Sequence, residues 1–222
     1  MTIAAFICTA VVAAIIGGLS VAAKHSTNIF DFAFKLLAPL ACLVLALVSG
    51  NLASALGGYT IFIALGMALI LAEEAFKCVH GEDTNKSSVL FMGITNMLSY
   101  ACFACGAALV VPFKVWGLLA GLMLGLAAAC ILMCVKKLTI TQWLVTAGNI
   151  ALCGAALGQG IALLASHSNL ITSVLFFIGA AFAFFQVIFS LFTKRDRTMQ
   201  IIGSVAQVLS LLLISGSIYF LI

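Results

Sequence analysis

Eight apolar runs follow one another along this chain, at about 2–23, 29–49, 58–78, 89–110, 113–135, 140–165, 168–192 and 199–222. Each has about the 20 residues that a helix needs to cross the hydrocarbon of a bilayer. Hydrocarbon holds no water to bond an exposed N–H or C=O, so each run must satisfy its own backbone as a helix. Charged residues make up 7% of the sequence and hydrophobic ones 65%, where a soluble domain carries about a quarter charged. That is too little charge to cover a water-facing surface. The expectation is an all-α polytopic membrane protein of eight transmembrane helices, one transmembrane domain over 1–222. The longest link, His80 to Ser88, is too short for a soluble domain. The first run lacks a basic leader and is longer than a signal-peptide core, so it reads as a retained span.

Orientation follows from lysine and arginine, which collect on the cytoplasmic side. The links after runs 1, 3, 5 and 7, with their flanks, carry Lys24, Lys77, Lys86, Lys136, Lys137, Lys194, Arg195 and Arg197, whereas the opposite links carry Lys114 alone. The odd-numbered links therefore face the cytoplasm and both termini face outward. Short links point to a bacterial inner membrane. The net charge of +4 is explained by this topology and asks for no nucleic acid.

Small residues mark where helices approach closely. Gly117, Gly121 and Gly125 line one face of run 5, and Gly154 and Gly158 one face of run 6. Such a face serves either the bundle, the favoured reading, or a homodimer. Pro39 is expected to kink run 2, one turn beyond Lys35. Cys102-x-x-Cys105 has the spacing of a redox or zinc half-site, but it falls mid-span without His or acidic company and reads as packing. The three histidines, His25, His80 and His167, fall in links with no metal-binding spacing. No phosphate-binding loop or nucleophile elbow is present, so neither a metal nor another cofactor is expected. A weak internal repeat sets Leu65–Phe76 beside Ile178–Phe189, with Glu73 opposite Gln186, and the Asn96–Ser99 step beside Gln207–Ser210. This gives a parallel 4+4 arrangement.

Polar groups inside spans are costly and usually face the interior of a bundle or a cavity. Lys35, Glu73, Glu74, Asn96, Ser99, Gln186 and Gln207 all fall in the predicted cytoplasmic half, while Gln159 is the main exception in the other half and Asn149 lies near the middle. Adjacent helical residues point about 100° apart, so Glu73 and Glu74 cannot share one partner face. The reading is a cavity open to the cytoplasm approached by Lys35, Glu73, Gln186 and Gln207, with Glu74 the next candidate. The plainer alternative is that Glu73 pairs with Lys77 four residues on and marks the interface. Asp31 and Lys35 have the same spacing.

The segments Phe32–Leu40, "LILAEEAF", "FMGITNMLSY", "IGAAFAFFQVIF" and "GSVAQVLSLLLISGS" together resemble the YhhN-like lysoplasmalogenase family, over most of the chain. The family's pattern has Lys-Pro in span 2, Gly-Asp in span 3, a Gly and a later His in span 4, Gly-Ala with Ser-Asp in span 7 and Ala-Gln in span 8. Here Lys35 stands for the first lysine, with Pro39 displaced. Ala72-Glu73 stands for Gly-Asp. Gly93 is kept with Ser99 near the place of the histidine. Gly179-Ala180 are kept with Gln186 at or beside the second aspartate, and Ala206-Gln207 are kept.

The resemblance implies hydrolysis of the vinyl ether of a lysophospholipid or related amphiphile in an intramembrane pocket. Membrane lipid or lysolipid would be the partner. In that scheme Glu73 is acid or base, and Lys35 holds an anion or tunes it. Gln186 replaces a second carboxylate, and Asn96, Ser99, Gln207 and Glu74 bind substrate or water. Glutamine can supply neither proton nor negative charge, so a non-catalytic protein that binds or moves an amphiphile is the rival. A small-solute transporter is the third reading. In a variant lacking native cysteines, Asp83→Cys should label from the cytoplasmic side and His167→Cys from outside; the reverse pattern would invert the assigned orientation.

Overall fold

The computed structural model describes residues 2–23, 31–52, 57–80, 86–110, 115–135, 139–166, 169–190 and 197–221. These fold as eight α-helices: α1 (Thr2–Ala23), α2 (Asp31–Leu52), α3 (Gly58–His80), α4 (Lys86–Val110), α5 (Val115–Val135), α6 (Ile140–Ala165), α7 (Leu170–Ser190) and α8 (Arg197–Gly216). A short 3₁₀ helix, η1 (Ser217–Phe220), ends the described chain. No strand occurs among the described residues. Each helix falls on one of the apolar runs. Six of them, all but α2 and α3, are long and apolar enough to cross a membrane, and α2 adds the shorter apolar stretch Leu36–Asn51. Positions 83 and 167, and the link residues Lys24, His25, Lys114, Lys136, Lys137, Lys194 and Arg195, lie outside the described residues.

Seven helices close into a ring in the order α1, α2, α3, α4, α6, α7, α8, with α8 returning to α1 and also reaching α2 and α3. α5 stands outside this ring and packs on α6. The core runs through α3, α4, α6 and α7, where Ile63, Met67, Phe103, Ile150, Cys153 and Phe176 are fully buried. α6 is the most buried of the six apolar helices. It starts on a capping box in which Thr139 and Gln142 bond each other's backbone N–H, satisfying two of the donors that a helix start leaves open. α2 continues through Pro39 as helix. Because proline has no N–H, the Lys35 carbonyl loses its usual helical donor there.

Glycine does its closest work between α5 and α6. A Cβ at Gly121 would run into the Gly154 carbonyl, one at Gly125 into the Ile150 carbonyl, and one at Gly158 into the Gly117 carbonyl. The obstacles are backbone atoms, which cannot swing aside. The face that the sequence offered either to the bundle or to a second copy is therefore filled by α6 of the same chain. A homodimer through Gly117, Gly121 and Gly125 would require α5 to leave. A branched side chain here cannot be accommodated by a rotamer change, so Gly121→Val should separate α5 from α6. The expected cost is at least the roughly 1–3 kcal/mol of ordinary overpacking, read as a fall in melting temperature in detergent. Gly18→Ala, where a Cβ meets nothing within 4 Å, should melt like the native chain.

Candidate functional site

The polar residues gather where α3 nears its C-terminal end. Glu73 and Glu74 are both buried, at 7% and 5% exposure. Both reach Lys77, one turn further along the helix. Its Nζ lies 2.6 Å from Glu73 Oε1 and 3.1 Å from Glu74 Oε1, and its side chain is about a third exposed. The i, i+4 and i, i+3 spacings bring one ammonium over both carboxylates. Adjacent positions on a helix diverge, so the two glutamates serve different interfaces while sharing this cation.

Glu74 turns toward α2 and α8. Gln207 Nε2 approaches its Oε1 at 3.5 Å from α8, the long edge of a hydrogen bond. The two side chains line a narrow cleft with Ser20 from α1, Ala38 and Pro39 from α2, and Val208 and Leu211 from α8. The space suits about one water molecule. Glu73 is absent from this lining. On its own side Tyr100 of α4 lies within electrostatic reach of Glu73 and of Cys153 from α6. Phe76 of α3 meets Phe91 of α4 at a tilt, with ring centroids 4.4 Å apart, along the same helix pair.

The remaining predicted residues divide. Gln207 lines the cleft. Ser99 is fully buried, but its hydroxyl donates to the Asn96 carbonyl at 2.7 Å and only brushes Asn96 Oδ1 at 3.5 Å, so it is spent within α4. Asn96 is half-buried on the same helix. Gln186 is half-buried on α7, and among the described residues no hydrogen bond joins it to either glutamate or to Gln207. It does not line the cleft. The Lys35 side chain lies outside the described residues. Among Glu73, Gln186 and Gln207, it is Gln207 that lines this cleft, together with Glu74. The reason is angular: Glu74 sits on the α3 face that meets α8.

Ser20 was not anticipated. A serine in an apolar helix usually returns its proton to a carbonyl of its own helix and gives no outward signal. No group of three or more His, Cys, Asp or Glu suited to a metal occurs among the described residues. No family model, curated protein or solved structure matches the chain. Removing the shared cation takes from two buried carboxylates the ammonium that both of them bond. Lys77→Met should therefore cost about 3 kcal/mol at neutral pH, the lower end for breaking a buried pair. Lys77→Arg should recover much of that loss, as followed by thermal melting in detergent.

Proposed function

We propose that all eight helices cross the bilayer, with the glutamate end of the bundle in the cytoplasmic half and both termini outside, in a bacterial inner membrane. In this reading the chain hydrolyses the vinyl ether of a lysophospholipid or related amphiphile, as its resemblance to the YhhN-like lysoplasmalogenases implies. One observation carries the assignment. A buried carboxylate, Glu74, meets Gln207, a position matched to the family, at a cleft formed by α1, α2, α3 and α8. The parallel repeat belongs to the same reading: α3 with α4 and α7 with α8 are both adjacent pairs, while α1 lies in the ring and α5 outside it.

The chemistry requires a proton, a water molecule and charge stabilisation. Glu74 in its acid form gives its proton to the enol-ether carbon remote from oxygen, leaving an oxocarbenium ion. The resulting carboxylate stabilises this cation. It then takes a proton from the water that adds to it, and the hemiacetal so formed collapses to a fatty aldehyde and the free glycerophospho head group. Gln207 orients the water or the head group. Lys77, bonded to both carboxylates, balances the charge of whichever one is ionised. Only the reacting atoms need to enter the cleft, since the bilayer itself solvates the alkyl chain.

The second reading is a non-catalytic protein that binds or moves an amphiphile. It is favoured by the position of Gln186, which is neutral and away from the cleft. Aldehyde release from lysoplasmenylethanolamine by detergent-purified protein separates the two. The hydrolase reading expects native activity that falls about 10²–10³-fold, a loss typical of removing a group that stabilises transition-state charge, in Glu74→Gln and less in Glu73→Gln. Lipid binding without aldehyde release from either the native chain or Gln186→Asp would select the non-catalytic protein.

A further inference from the structure

The end of the bundle opposite the glutamates carries a second set of buried polar groups. Tyr59 opens α3, and its hydroxyl lies 2.6 Å from Ser217 Oγ at the start of η1. Ser217 Oγ already donates to the Ile214 carbonyl at 2.6 Å, so Tyr59 is the donor of their shared bond. The Tyr59 ring packs toward Phe176 of α7, with centroids 6.3 Å apart. The start of α7 is held to η1 by Asn169, whose amide donates to the Phe220 carbonyl. On the other side Gly50 of α2 packs against Thr60 of α3. Helix ends from α2, α3, α7 and η1 thus form one layer.

Three hydroxyls in this layer are buried to 1% exposure or less and lack a hydrogen-bond partner: Ser49 on α2, and Thr172 and Ser173 on α7. Elsewhere the chain satisfies such groups locally. Ser215 donates to the Leu211 carbonyl, and Thr95 to that of Phe91. Thr172 and Ser173 sit in the first turn of α7, where the carbonyl four residues back precedes the helix. The Asn169 carbonyl accepts from the Ser173 N–H at 2.9 Å, and neither hydroxyl bonds to a carbonyl of its own helix. Buried polar atoms in native proteins are almost always bonded, to protein or to ordered water. A hydroxyl both donates and accepts, and no charged side chain is described in this layer. The guest that fits is small, neutral and able to do both.

We propose that this end of the bundle is a built water site, in which the Ser49, Thr172 and Ser173 hydroxyls hold ordered water around the Tyr59–Ser217 pair. The site is independent of the glutamate cleft and of any reaction there. α2 and α7 both pack on η1 at this level, where α3 is tied to η1 directly. A bridging water needs several polar partners, and hydroxyls from two helices supply them.

Thr172→Val tests this, because valine keeps the shape of threonine and removes only the hydroxyl. If the hydroxyl holds water, its loss strands that water and lowers the melting temperature by about 2–4 °C, the shift expected for one lost interaction in a chain of this size. If the layer is dry, the substitution relieves an unbonded polar group, and an unchanged or raised melting temperature overturns the proposal. Should the variant fail to fold, X-ray radiolysis of the native chain in detergent decides. Radicals formed from bound water should oxidise Tyr59 faster than Tyr100. Both rings are buried, at 3% and 5% exposure, but Tyr100 lies toward Glu73 at the other end. Equal, slow oxidation of the two would overturn the water site.

Discussion

A peptide group surrounded by hydrocarbon must find its hydrogen bond within the protein, and the rest of this fold depends on that constraint. It forces into a helix each of the six runs long and apolar enough to cross a membrane. It then removes the usual reason for helices to associate, since lipid tails are as apolar as leucine. What remains is close packing and the few polar contacts between helices. The α5–α6 seam shows the first: backbone meets backbone because glycine lies on both sides. The contacts of Tyr59 with Ser217 and of Glu74 with Gln207 show the second. Large apolar side chains face outward on α1 and α5, among them Ile7, Ile15, Leu119 and Met123, as suits a surface solvated by lipid.

The charged cluster obeys the same constraint with higher stakes. A single buried carboxylate would be expensive, and two adjacent ones more so. Lys77 resolves this by reaching both while keeping part of its side chain exposed. The pair is thereby anchored near the end of α3, and its two members are directed to different neighbours. One meets the α2–α8 side, and the other the α4 side. The arrangement couples two helix interfaces through one ammonium, so a change in the protonation of either glutamate alters the bonds available to the other.

Helix positions were readable because length and apolarity are properties of the chain itself, and capping at Thr139 with Gln142 adds a local signal. Helix neighbours were less so. Glycine spacing identified the α5–α6 face but could not say whether its partner was internal, because both solutions bury the same atoms. The choice between Glu73 and Glu74 turns on an angle of rotation about α3, set by where α8 packs, and α8 lies more than a hundred residues away in sequence. Gln186 of α7 does not line the cleft, for the same reason. The serines and threonines at the opposite end were silent, since such residues in helices commonly bond to their own backbone and only the fold reveals which do not.

The first and last helices meet. Phe6 of α1 stacks on Tyr219 of η1, with centroids 4.1 Å apart and planes 9° from parallel, and meets Phe220 edge-on. Gly17 makes room further along α1 for Val208 of α8. Synthesis proceeds from the N-terminus, so α1 enters the bilayer long before the residues it finally packs against exist. Until then its flank toward α8 is solvated by lipid, which its apolar sequence permits. Ring closure is therefore a late event, reached only after α8 and η1 leave the ribosome, and the cleft lacks its α8 wall before that moment.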